Sequence, residues 1–170
     1  MTDVFKEQIV KRKETTKDKM KRIGLILAVV LVFVIAIASP AAAFAPIITL
    51  AVGFGAFYLM GFLKVEYEYI FTNGELDIDV IYNRSRRKRM FSSHVNKFEI
   101  MAHVQDMNQA GNFNSAQVTH DYSSRQVGAD TYAFLVSKDG KQQKIIFEPN
   151  EKMLKAISGS MSRSKLHIKR

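Results

Sequence analysis

The longest uncharged stretch of the chain, residues 23–63, contains no Asp, Glu, Lys, Arg or His, although 24% of all residues are charged. Pro40 and Pro46 flank a short spacer within it. The segments on either side, about 23–39 and 44–63, each approach the ~20 residues that a helix needs to cross ~30 Å of hydrocarbon. We therefore expect a transmembrane hairpin of two α-helices. Because neither helix carries an ionisable group, the hairpin is expected to be an anchor and not a pathway for ions or protons.

The main alternative for this stretch is a cleaved secretory signal. A basic segment precedes the first apolar run, and Ala43-Phe44-Ala45 resembles a cleavage site. The long apolar run and the second run that follows it favour two membrane spans. Basic residues lie before the first span and after the second, so the positive-inside bias predicts that both termini are cytoplasmic. Two pairs of small residues, Gly24/Ala28 and Ala51/Gly55, are spaced to allow close helix packing.

Residues 1–22 form a basic leader with a net charge of +4, within a total of +9 for the chain. Val4, Phe5, Ile9 and Val10 recur at roughly helical spacing, which predicts an amphipathic helix at the membrane surface. A solvated cytoplasmic leader that only fixes the orientation of the spans is the interpretation we favour over contact with the membrane surface. Thr15 and Asp18 match the spacing of a capping box at the start of the next helix.

Residues 64–170 are expected to form a small α+β domain that starts directly at the membrane. Apolar residues alternate on both sides of Asn73-Gly74, a dipeptide typical of two-residue hairpin turns. This predicts a hairpin with its apolar residues on one face. The expected cross-strand pairs are Phe71/Leu76, Tyr69/Ile78, Tyr67/Val80 and Val65/Tyr82.

A basic run, residues 84–89, follows the second strand of this hairpin. Because the hairpin returns the chain to its starting point, we expect this run to lie near the bilayer. Its cations are candidate contacts for anionic lipid headgroups: Arg84, Arg86, Arg87, Lys88 and Arg89. Alternatively, some of them compensate Glu68 and Asp79, which face each other on the outer side of the hairpin. Nucleic-acid binding is not expected, because no aromatic stacking platform or recognition helix accompanies the run.

The remaining residues predict a closing sheet and a helix. A further strand is expected at 98–104, an irregular loop at 105–130 and a second hairpin at 132–147, which pairs Phe134 with Ile145 and Tyr132 with Phe147. An apolar stripe after Pro149 predicts a C-terminal helix, followed by a basic tail. The fold class is thus an α-helical membrane hairpin followed by an antiparallel sheet that a C-terminal helix closes.

Several segments resemble an uncharacterised family of small bacterial two-span membrane proteins with a C-terminal pleckstrin-homology-like (PH-like) domain. The similar segments are the Asp-Val-Phe leader, the hairpin at 67–78, the Arg-Lys-Arg run, and residues 98–102 and 147–151. The resemblance implies a PH-like fold in a bacterial cell membrane and an interaction module that is often oligomeric. It implies no catalytic residue.

No pattern of catalytic or metal-binding residues is found. The chain has no cysteine, and its four histidines lack metal-ligand spacing. We therefore expect neither enzymatic activity nor a cofactor. The leading hypothesis is a membrane-anchored interaction or scaffold protein with a protein partner or a second copy of itself. Headgroup contact through the basic run is the first alternative, and an accessory subunit of a transporter or cell-envelope enzyme is the second.

Overall fold

The computed structural model describes residues 4–40, 42–106, 111–138 and 140–167. Parts of the predicted leader, spacer, irregular loop, second hairpin turn and basic tail lie outside these residues. The described chain divides into two compact units, one of 14–65 with 82–86, and one of 1–13, 66–81 and 87–170. The first holds two apolar helices and the second holds the β-rich domain.

The helical unit contains α1 (Thr16–Ala38) and α2 (Ala45–Gly61). Helix α1 starts seven residues before the uncharged stretch, because Thr15 and Asp18 form the predicted capping box. A 3-10 turn, Ala42–Phe44, precedes α2. Pro46 lies in the first turn of α2. Most side chains of both helices are exposed, so neither helix is buried within this chain as a core helix would be. By length and composition, both are candidate membrane spans.

The small residues Gly24 and Gly55 do not form the contact between α1 and α2. Apart from chain neighbours and the backbone of the same helix, no atom lies within 4 Å of a Cβ placed at either position, whereas a Cβ placed at Gly53 would lie 4.0 Å from Cγ1 of Val29. The suggested close packing through Gly24 and Gly55 is therefore wrong for this pair of helices.

Among the residues that the structure describes, the β-rich unit contains nine strands in two sheets. The strands are β1 (Phe5–Lys11), β2 (Val65–Thr72), β3 (Glu75–Tyr82), β4 (Arg86–His94), β5 (Phe98–His103), β6 (Val118–Asp121), β7 (Tyr132–Lys138), β8 (Lys141–Phe147) and β9 (Leu166–His167). The first sheet has the order β1-β2-β3-β4, and the second has the order β6-β8-β7-β5-β9. Helix α3 (Glu151–Ser160) lies between β8 and β9 and buries Met153 and Ile157.

Strand β1 corrects the prediction of an amphipathic helix in the leader. It pairs antiparallel with β2 over seven residues, from Phe5 opposite Thr72 to Lys11 opposite Glu66. Of its apolar residues, only Val10 is buried, and Phe5 and Ile9 face outward. An edge strand with outward apolar residues shows little alternation of apolar and polar residues. Its partner strand also lies about sixty residues away, so no local sequence pattern indicated β1.

The second sheet also differs from the predicted antiparallel sheet. Its β7–β8 hairpin has the predicted pairs, Phe134 opposite Ile145 and Tyr132 opposite Phe147. However, β6 pairs parallel with β8, and β9 pairs parallel with β5. These two short strands come from the expected irregular loop and basic tail. The resulting domain has two sheets and a C-terminal helix.

Aromatic residues fill the space between the two sheets. The rings of Phe98 and Phe134 stack with centroids 3.9 Å apart, and Phe91 of the first sheet packs 5.4 Å from Phe134. Tyr69 packs against Phe147 at 5.7 Å, and its hydroxyl donates a hydrogen bond to the carbonyl oxygen of Tyr122. Burial raises the pKa of Tyr69 well above its usual value. The core therefore joins both sheets into one domain.

Candidate lipid-contact site

The basic run begins with a tight turn at the end of β3. Asn83 and Arg84 have positive φ angles of 50° and 55°, and the amide of Ser85 donates to the carbonyl of Tyr82 at 3.1 Å. Positive φ at both central residues is typical of a type I′ hairpin turn. A left-handed conformation disfavours a residue with a Cβ, so Arg84 occupies a position where glycine would be less strained.

Close packing joins this turn to the end of α2. The amide of Asn83 donates to the carbonyl of Lys64 at 3.0 Å. A Cβ added to Gly61 would lie 2.8 Å from Cγ of Asn83, so a larger residue at position 61 requires the Asn83 side chain to move. The prediction that the second strand returns the chain to the end of the second helix is confirmed by these contacts.

Arg86 extends this contact along α2. Its Nη2 atom donates to the hydroxyl of Tyr58 at 3.3 Å, and its guanidinium lies 5.3 Å from the centre of the Phe62 ring. The last turn of α2 contains no basic residue. Arg86 therefore supplies a cation near the negative end of the helix dipole, where positive charge is favourable.

Arg87 and Arg89 instead compensate the acidic residues of the outer sheet face. Arg87 binds Glu68 at 2.7 Å, and Arg89 binds both Asp77 and Asp79 at 3.1 Å. Burial raises the pKa of Glu68 despite the opposing effect of Arg87, and the hydrogen bond to Asp79 raises the pKa of Arg89. These contacts confirm the predicted compensation of Glu68 and Asp79.

The five candidate cations thus have different environments. Arg87 and Arg89 have their guanidinium groups committed to ion pairs on β4. Arg84 and Arg86 lie at the end of α2, and Lys88 is exposed and makes no ion pair with the described residues. The structure therefore brings two of the five sequence-predicted residues to the helix end and commits two others to the sheet.

A cavity of about 470 Å³ opens beside the same end of α2. Phe54, Phe57 and Tyr58 line its apolar side, and charged residues at the start of α1 and the end of α2 line the remainder. Among them, Arg22 forms an ion pair with Glu14 at 2.5 Å. An apolar wall next to charged groups matches the chemistry of a lipid at the boundary between acyl chains and headgroups.

Sequence reasoning missed the aromatic partners of this site. Tyr58 and Phe62 are one helical turn apart and their rings contact edge to face at 5.2 Å. Aromatic residues at the end of an apolar helix are typical of a membrane interface. The spacing of Tyr58 and Phe62 by one helical turn was therefore the sequence feature that could have indicated this site.

The profile of one protein family, described as a bacterial PH-like domain (DUF6106), matches residues 2–166. The chain belongs to this family. No curated protein and no solved structure shows a significant match. The match of the bacterial PH-like family starts before β1 and ends in β9, so it includes the leader strand, both apolar helices and the two-sheet domain. The described residues contain no group of three or more His, Asp or Glu side chains that could hold a metal.

Proposed function

We propose that this protein is a two-span membrane anchor that presents its PH-like domain as an interaction module at the cytoplasmic face of a bacterial membrane. The observation that carries the proposal is the pairing of β1 with β2. Strand β1 precedes the first apolar helix and β2 follows the second. Since adjacent strands must lie on one side of a membrane, an even number of crossings is required between them.

The same pairing argues against removal of the first helix by a signal peptidase. Cleavage after Ala45 would separate β1 from the domain. It would also remove the hydrogen bond from the amide of Lys13 to Ser124 and both hydrogen bonds of the Gln8 side chain to residues 148 and 150. A domain whose edge strand precedes the helices supports retention of the whole hairpin.

Single cysteines test the topology, because the chain contains none of its own. Ser39→Cys lies between the helices and Lys155→Cys lies on α3. In intact spheroplasts, we expect a membrane-impermeant maleimide to label Ser39→Cys, and to label Lys155→Cys only after permeabilisation. Labelling of Lys155→Cys from outside would contradict the cytoplasmic orientation, and labelling of neither residue outside would contradict the two crossings.

The exposed apolar residues of β1 support a protein-interaction role. Phe5 and Ile9 are 56% and 52% exposed, and both face away from the core. We expect a photo-crosslinking residue at Ile9 to capture protein in native membranes more efficiently than one at Lys155. A stoichiometric foreign partner would favour an accessory subunit, and a second copy would favour a homo-oligomeric scaffold. Equal crosslinking at both positions would count against an interaction role for this face.

Contact with anionic lipid headgroups is the second candidate function, and the position of Arg86 favours it. Arg84 and Arg86 lie at the end of a candidate membrane span, beside aromatic residues and the cavity described above. Cations near an anionic membrane surface contribute about 1 kcal/mol each. Nanodiscs with phosphatidylglycerol should therefore retain more of this lipid around the full chain than around Arg84→Gln/Arg86→Gln, and equal retention would contradict the proposal.

A further inference from the structure

Val127 is an apolar residue that the fold holds in solvent. The residue is 99% exposed, although most large apolar residues of the domain are buried. It lies at the tip of a loop, residues 123–130, which we call the Val127 loop. A single exposed apolar residue needs no explanation by itself, so its surroundings decide whether the exposure has a role.

Hydrogen bonds fix the base of the Val127 loop to the rest of the domain. The amide of Ser124 donates to Oε2 of Glu148 at 3.0 Å, and the carbonyl of Ser124 accepts from the amide of Lys13 at 2.8 Å. The amide of Gln126 donates to Oγ of Ser124 at 3.1 Å. The loop is therefore ordered by its base, and its apolar tip is held in a defined place.

A basic pocket of about 490 Å³ lies beside this tip. Its lining consists of three consecutive cations at the end of β1 and two loop residues: Lys11, Arg12, Lys13, Gln126 and Val127. Lys11 and Lys13 are exposed, and Arg12 is half-buried. The loop's own cation, Arg125, is compensated by Asp121 at 2.9 Å, and Glu66 lies opposite Lys11 across the strands. The three consecutive cations still leave an excess of positive charge.

The chain segment between Lys13 of the basic pocket and the first apolar helix is short. Lys13 precedes the N-cap, Thr15, by two residues. The polar start of α1, residues 16–22, spans about 10 Å at 1.5 Å per residue. Three further extended residues add at most about 10 Å. At most about 20 Å of chain thus separates Lys13 from the first apolar turn, and a headgroup layer is itself about 5–7 Å thick.

We propose that the Val127 loop and the basic pocket form a docking surface for an anionic phospholipid membrane. The ammonium groups of Lys11 and Lys13 bind lipid phosphates, and Val127 enters the interfacial layer. A membrane surface matches the combination of positive charge with an apolar tip, because it offers both anionic groups and an apolar layer. An acidic peptide or a nucleic acid offers no apolar layer and matches less well. This proposal rests on the membrane anchoring proposed above, but it uses different residues from the site at the end of α2.

Fluorescence in nanodiscs tests the proposal with the full chain. A single environment-sensitive label is placed at Val127→Cys or at the control Lys141→Cys, which begins β8 at the end of the β7–β8 hairpin away from the Val127 loop. When nanodiscs of phosphatidylcholine are replaced by nanodiscs with equal parts of phosphatidylcholine and phosphatidylglycerol, we expect the emission of the label at Val127 to rise about twofold. We also expect nitroxide-labelled lipids to quench this emission. The label at Lys141 should not respond.

Charge neutralisation provides the matched comparison. Lys11→Gln/Lys13→Gln should abolish the response at Val127, whereas Lys138→Gln/Lys141→Gln, with the same change in net charge, should preserve it. A label at Val127 that behaves like the one at Lys141, or that responds equally in neutral nanodiscs, would overturn the proposal. A chain that does not enter nanodiscs at all would overturn the anchoring as well, and size-exclusion chromatography separates these two outcomes.

Discussion

The guanidinium of Arg86 contacts the hydroxyl of Tyr58 at 3.3 Å across 28 residues of sequence. This contact joins the start of β4 to the last turns of α2. It shows that neighbouring cations in one basic run have different roles: Arg86 lies against the helix, whereas Arg87 points to the sheet and binds Glu68. Substitutions at these two adjacent positions should therefore have different consequences.

Arg86→Gln is expected to reduce the amount of phosphatidylglycerol that co-purifies with the protein in mild detergent while changing the free energy of unfolding by less than about 0.5 kcal/mol. Arg87→Gln is expected to leave the amount of phosphatidylglycerol unchanged and to lower the free energy of unfolding. It leaves the buried carboxylate of Glu68 without its cation and should cost about 1–3 kcal/mol. Lipid quantification and thermal unfolding of both variants check the contrast, and a loss of lipid with Arg87→Gln alone would contradict it.

The raised pKa of Glu68 predicts a pH-dependent effect of Glu68→Gln. Burial favours the protonated carboxyl in the folded state, so ionised Glu68 opposes folding at pH values above its folded pKa. This penalty disappears as the pH falls through the raised pKa towards the usual value of 4.5. Because glutamine resembles the protonated form, Glu68→Gln should raise the melting temperature relative to the native protein more at pH 7 than at pH 5.

Melting curves of both proteins across this pH range in the same detergent are the required measurement. Glu66→Gln is a suitable control, because Glu66 lies on the same strand and is only half-buried. An advantage of Glu68→Gln that grows on acidification would show that the ion pair with Arg87 outweighs the cost of burial.

Arg84→Gly should stabilise the fold by about 1 kcal/mol, because Arg84 has a φ of 55° that glycine adopts without strain. Ser85→Gly, at the next residue, lacks a positive φ and should be neutral or destabilising by up to about 1 kcal/mol. Chemical unfolding of both variants measures the difference. If Arg84→Gly also retains less phosphatidylglycerol, the positive charge of Arg84 explains why an arginine occupies this strained position.

Gln8→Ala should destabilise the domain by about 1–3 kcal/mol. The Gln8 side chain donates to the carbonyl of Glu148 at 2.8 Å and accepts from the amide of Asn150 at 2.7 Å, so it joins β1 to the start of α3. Lys6→Ala, an exposed position on the same strand, should change stability by less than about 0.5 kcal/mol. Equal melting temperatures for the two variants would show that β1 contributes little to the domain.

Local patterns predicted those parts of the fold in which neighbouring residues determine the structure. Asn73 and Gly74 have the positive φ angles expected of the predicted turn. Seven of the eight apolar residues predicted to share a face of that hairpin are buried, and Tyr82 is half-buried. The stripe that predicted the C-terminal helix is also buried at Met153, Ile157 and Met161. The helix begins after Asn150, whose side chain caps it, so Pro149 lies outside.

Distant pairing explains what sequence patterns could not show. Phe113, in the expected irregular loop, packs with Ala102, Ala133 and Leu135 in a second apolar cluster. The continuous apolar run at 132–136 in β7 was the available indication, because a strand buried on both faces needs a second covering layer. Strand β1 and the partners of Arg86 gave weaker indications, since their contacts connect segments that are far apart in the chain.

The position of β1 also constrains how this protein is made. The ribosome produces β1 first, then both apolar helices, and only then β2, so the first sheet remains incomplete until the hairpin has been synthesised. In the proposed two-span topology, a copy whose leader stays on the opposite side of the membrane cannot add β1, and the edge of β2 and the apolar side chain of Val10 are left uncovered. Unpaired strand edges promote aggregation. The seven residue pairs between β1 and β2 can therefore form only in a copy that is both correctly inserted and completely folded.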